Sequence, residues 1–125
     1  MRKLAVLFAA LSLLAYAGPA AGARGGGPPQ IPRLPGTWSH AEITVTIKRV
    51  PHTLILDRGK IVEITTTQLT LLERGGITVV VPLSFQTIVT LDNRPATISN
   101  LRRRMTATTL IVDGGAAVRV RATSF

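Results

Sequence analysis

The sequence predicts an all-β domain: a small antiparallel β-barrel of OB or SH3-like size, built from short hairpins, with a two-sheet sandwich as the alternative. Three observations predict it. From Thr37 onward no helical periodicity of useful length appears, Ile, Val, Leu and Thr dominate, and Gly- or Asn-containing turns recur at short intervals. Closure also protects Thr/Val-rich edges that would otherwise pair with other chains. The densest β-signal is Lys60 to Leu91, KIVEITTTQLTLLERGGITVVVPLSFQTIVTL.

Met1 to Ala23 reads as a signal peptide, an N-terminal helix outside the fold. Arg2 and Lys3 form a basic start, Leu4 to Ala15 an apolar run, and Ala21-Gly22-Ala23 the small residues a signal peptidase needs, with Ala15-Tyr16-Ala17 as a second site. The run is shorter than the ~20 residues that span a bilayer, and Pro19 interrupts it. The expectation is a bacterial protein that is secreted or periplasmic, with an uncleaved anchor as the runner-up. Arg24 to Gly36, RGGGPPQIPRLPG, is mostly Gly and Pro and reads as a linker. Residues 37–125 are then the β-domain.

Within it, Trp38 to Lys48 alternates, with Ile43, Val45 and Ile47 on one face and Glu42, Thr44 and Thr46 on the other. Val50-Pro51-His52 reads as a break, because proline cannot donate to a ladder. Face parity then predicts three hairpins. Leu54 and Leu56 would face Ile64 and Val62 around Arg58-Gly59-Lys60. Leu69 and Leu71 would face Val81 and Val79 around Arg74-Gly75-Gly76. Leu110 and Val112 would face Val120 and Val118 around Gly114-Gly115-Ala116. Between them lie a strand from Thr87 to Leu91, a turn at Asp92-Asn93-Arg94 and a single helical turn near Ser99-Asn100-Leu101. Leu56-Asp57-Arg58-Gly59 and Leu72-Glu73-Arg74-Gly75 look alike, which reads as one hairpin chemistry used twice.

From Gly59 to Ala122 the order of signals resembles a group of small exported bacterial β-domains of unknown function. The matching pieces are Gly59-Lys60-Ile61-Val62, Leu69-Thr70-Leu71, Thr87-Ile88-Val89, and Asn93 with Ala96 to Leu101. In that group a Gly usually follows the Leu, whereas this chain has Arg102, Arg103 and Arg104. The resemblance implies a small β-barrel and supplies no catalytic or ligand residues.

Cysteine is absent, which excludes disulfides, thiol chemistry, cysteine metal sites and a lipid anchor on Cys. His40 and His52 flank the first strand without metal-ligand spacing and read as surface or edge residues. Ser39, His40 and Asp57 supply the residue types of a triad, but no nucleophile elbow accompanies them. Alternation points Glu42, Glu63 and Glu73 outward, against a buried acid/base pair. No enzyme, metal site or cofactor is therefore expected.

The charge carries the functional signal. The chain is +9, with 15 Lys and Arg against 6 Asp and Glu. Arg102, Arg103 and Arg104 form the densest basic run, and Arg119 and Arg121 share one face of the last strand. These are the candidate anion-binding residues, since arginine's planar fork suits phosphate and carboxylate. Stacking aromatics are scattered, so nucleic acid ranks behind an anionic envelope polymer, a lipid headgroup or an envelope protein. The overall expectation is a non-enzymatic exported domain, structural or protein-binding, with anion binding as the alternative.

Overall fold

The structure is a computed structural model, and it describes residues 29–125. The predicted signal peptide and the first part of the linker lie outside the described residues. Eight strands form one sheet: β1 His40–Ile47, β2 Val50–Ile64, β3 Gln68–Leu72, β4 Thr78–Pro82, β5 Ile88–Leu91, β6 Arg94–Ala96, β7 Thr106–Val112 and β8 Arg119–Thr123. A 3-10 turn at Ile98–Asn100 precedes β7, where the sequence predicts a helical turn. Among the described residues no helix is long and apolar enough to cross a membrane.

The long strand β2 is the axis of the sheet. Its first half pairs with β1, from Ile47↔Val50 to His40↔Asp57, and its last residues pair with β3 along the same edge. β7 runs along the opposite edge. The path is β4-β3-β2-β7-β8-β5-β6, with β1 beside β2. All pairings are antiparallel except β5 with β8, which is parallel. The all-β, antiparallel expectation therefore holds, but closure and the sandwich do not. The end strands β4 and β6 share no ladder among the described residues, so the single sheet stays open. It curls enough that the Ala117 amide donates to the Pro82 carbonyl at 2.8 Å.

Three local expectations are corrected. The first turn lies at Lys48-Arg49, both with positive φ of 51° and 67°, the mirror-image turn that suits strand twist. Pro51 therefore sits inside β2. It is tolerated because the neighbouring outward amide, Thr53, already bonds Asp113 at the end of β7, and Pro51 lies beyond it. Second, Arg58-Gly59-Lys60 is not a turn: Val50–Ile64 is one strand, with a bulge between Ile61 and Glu63. Third, the last hairpin pairs Leu110 with Arg119 and Thr109 with Val120, one residue away from the parity prediction. The middle hairpin has the predicted register, Leu69↔Val81 and Leu71↔Val79.

That one-residue difference puts Leu110 and Val120 on opposite faces of the sheet. Each face has its own core. The back face gathers Ile61, Leu69, Leu71, Val81, Val89 and Val120. The front face gathers Ile43, Val45, Leu54, Leu56 and Leu110. Leu54 and Leu56 are fully buried, worth roughly 1.5–3 kcal/mol each in apolar burial. The cover on the front is the segment read as linker. Ile31 is buried there, and Leu34 and Trp38 pack against the same core, so the linker's second half is a strap across the front face.

Candidate functional site

The strap covers the apolar part of the front face and leaves a basic part beside it. Alternation along β8 turns Val120 and Ala122 into the back core and Arg119 and Arg121 to the front. Alternation along β2 puts Arg58 on the same face as Leu54 and Leu56. The registers then align four side chains in one row across the strands: Arg58 opposite Thr108, Thr108 opposite Arg121, and Arg121 opposite Thr90. Strands spaced about 4.8 Å apart place Arg58 and Arg121 some 10 Å apart at the backbone. Arg119 occupies the neighbouring row, beside Leu110 and Ile88.

Arg33 joins them from the strap. The half-buried Arg121 guanidinium is pulled below its usual pKa, first by burial and then by the positive charges of Arg33 and Arg58. Burial does the same to Arg119. Arginine stays charged through such shifts, so the row is permanently cationic. Arg119 Nε donates to the Pro29 carbonyl at 2.8 Å, tying the strap to β8. A shallow cleft opens between them, lined by Gln30, Ile31, Ile88, Thr90, Arg119, Val120 and Arg121.

Arg102, Arg103 and Arg104 are placed differently. They occupy the turn that leads into β7, where the Arg104 amide donates to Ile61 O and Arg104 has φ of 77°. Arg102 Nη1 donates to the carbonyls of Ser99 and Leu101, which caps the 3-10 turn. The charges acting on Arg121 come from Arg33 and Arg58. Thus Arg119 and Arg121 gain two partners that sequence reading missed. Arg58 was hidden by its assignment to a turn, and Arg33 by its place in a Pro/Gly segment.

The back face carries the opposite charge. β1 and β3 meet end to end along one edge of β2, and the meeting point brings together His40, Glu42, Asp57 and Glu73. His40 Nδ1 lies 2.6 Å from Asp57 Oδ1, and its Nε2 lies 3.0 Å from Glu42 Oε2. Burial opposes the charged imidazole, but the bonds to Asp57 and Glu42 outweigh it and raise the His40 pKa above 6.5. Asp57 and Glu73 are only 2% and 6% exposed. Glu73 thus faces inward, against the outward position expected of it, because it shares the parity of the buried Leu69 and Leu71 and the alternation of β3 carries on through it. The two acids of the repeated Leu-acid-Arg-Gly phrase meet here. His40, Asp57 and Glu73 offer donor atoms within 4.8 Å of one another, a nitrogen and two carboxylate oxygens that a divalent cation such as zinc accepts.

His52 forms a lesser pair, its Nδ1 2.6 Å from Asp113 Oδ2. Comparison of the chain with protein-family models, with curated proteins and with solved structures found no match.

Proposed function

We propose that this chain is a non-enzymatic exported domain of the bacterial cell envelope that binds an anionic partner along the arginine row of its front face. One observation carries the reading. Arg58 and Arg121 share a cross-strand row, with Arg33 and Arg119 beside them. Like charges brought together on a sheet are destabilising by themselves, and a bound anion turns that cost into attraction. Export rests on the signal-like Met1 to Ala23. An anionic envelope polymer or a lipid headgroup fits better than nucleic acid, because the row is built of Arg and Thr without stacking aromatics.

The non-enzymatic part of the reading is supported by His40. Both of its ring nitrogens already bond carboxylates, so a reacting group would have to displace Asp57 or Glu42 to reach one. A structural or protein-binding role is the second reading, favoured by β4. That strand is a sheet edge with Val80 and Ile77 exposed beside it, a template for strand addition.

Binding of the chain to heparin tests the first reading. Affinity should fall steeply with salt and with Arg58→Ala and Arg121→Ala combined. Indifference to both would remove the arginine row from the function. Crosslinking in cells, with and without Val80→Lys, tests the second.

A further inference from the structure

We infer that the cleft at Arg119 and Arg121 receives a terminal phosphoryl group, a phosphomonoester rather than a carboxylate or an internal phosphodiester. The inference rests on the anion-binding reading above and specifies its ligand.

Size limits the ligand first. The cleft holds about 60 Å³. That is several times the ~10–15 Å³ that one water needs and far below the ~300 Å³ of a pocket for a whole small molecule. It admits one functional group.

The donors choose among groups of that size. They come from three separate pieces of chain: guanidinium from β8, the Thr90 hydroxyl from β5 and the Gln30 amide from the strap. A planar carboxylate has two oxygens in one plane, which a single arginine fork can engage together. A terminal phosphoryl group has three acceptor oxygens pointing in different directions, which suits donors arriving from three sides. Charge agrees with shape. A phosphomonoester carries about −1.5 to −2 at neutral pH, against −1 for a carboxylate or a diester. Arg119 and Arg121 line the opening, and Arg33 and Arg58 add positive charge close enough to act on Arg121, which favours the larger charge. Ile31 and Ile88 in the lining leave an apolar wall for the carbon side of the ester.

Calorimetric titration of the full chain at low salt tests this, with inorganic phosphate, glycerol 3-phosphate, dimethyl phosphate and acetate as probes. The first two should bind about tenfold more tightly than the last two. Their affinity should rise with pH through the ligand's second ionisation near ~6. Thr90→Val should weaken phosphate binding about fivefold, the worth of one hydrogen bond. Arg121→Lys, which keeps the charge and removes the fork, should weaken it about tenfold. Phosphatidylcholine vesicles containing phosphatidic acid identify the source of the group. Capture that glycerol 3-phosphate competes away assigns a lipid headgroup, and soluble binding without capture assigns a water-soluble phosphomonoester. Equal affinity for phosphate and acetate, or indifference to both substitutions, overturns the phosphoryl inference while heparin binding leaves the broader reading standing. Absence of both heparin and phosphate binding overturns the two together.

Discussion

Gly59 stands so close to Leu72 that a Cβ on Gly59 would lie 2.5 Å from the Leu72 carbonyl oxygen. Its φ is not in the left-handed region, so the glycine is needed for the space its missing side chain leaves. β3 runs off the edge of β2 here, and the chain carries Glu73 toward Asp57. A side chain at this point would push the two strands apart.

Gly59→Ala should therefore destabilise the fold by about 1–3 kcal/mol, the range for overpacking. Chemical denaturation measures this. The same substitution should shift the imidazole resonances of His40, since it disturbs the strand junction that holds Asp57. Gly75→Ala is the control. Nothing lies near a Cβ there, and only its positive φ of 89° is strained.

His40 sets a pH dependence of stability. Its pKa is raised in the folded state by Asp57 and Glu42 despite burial. The stabilisation is complete below the unfolded value near ~6.5 and is lost as pH rises through the higher folded value. Thermal melts should fall in midpoint across this window. His40→Gln should flatten that part of the profile, and an unchanged profile would separate His40 from the effect.

Two exposed carboxylates predict the acid side. The pKa of Asp92 is lowered by the Ser124 hydroxyl and amide, and that of Asp113 by the Thr53 amide and then His52. Groups with depressed pKa values stabilise above their unfolded value and lose that contribution as pH falls through the folded one. The Ser124 and Thr53 amide resonances should each titrate with a midpoint below 3.8, the ordinary value for these carboxyls.

The arginine row predicts a salt response without any ligand. Arg33 and Arg58 repel Arg121. Arg58→Gln should raise the melting midpoint at low ionic strength, and the gain should vanish by about 1 M salt, where screening acts within ~3 Å. Lowered stability at low salt would mean that Arg58 is held by packing of its stem rather than opposed by its neighbours.

Leu56 tests the front core. It pairs with Ala41 on one side and Leu110 on the other and is fully buried. Leu56→Ala should cost about 2–5 kcal/mol in denaturant unfolding. A smaller loss would show that the strap settles into the space.

Much of the local structure was legible. The alternation of Ile43, Val45 and Ile47 identified β1, and the Leu69–Val81 and Leu71–Val79 pairing followed from parity around Gly75 and Gly76. Such signals are local, because a strand's period of two and a turn's need for positive φ act within a few residues. Arg119 and Arg121 were legible for the same reason, since their alternation with Val120 and Ala122 is visible in the sequence.

Other features depended on distant partners. Leu56-Asp57-Arg58-Gly59 has the composition of a turn, yet β1 and β7 hold it straight as the middle of the longest strand. Its Gly serves the approach of Leu72, a residue that sequence spacing cannot bring near. Glu73 differs, since its inward side follows the parity of Leu69 and Leu71, and only its meeting with Asp57 and His40 depended on distant pairing.

By itself the sequence determined the β class, the strand faces and two of the arginines, because each is written in short-range periodicity. Tertiary structure decided that the sheet stays open and that β5 runs parallel to β8. It also decided that Arg33 and Arg58 join Arg121 on one face while His40, Asp57 and Glu73 gather on the other. Strand pairing is a contest among distant edges, and a shift of one residue moves every side chain to the opposite face.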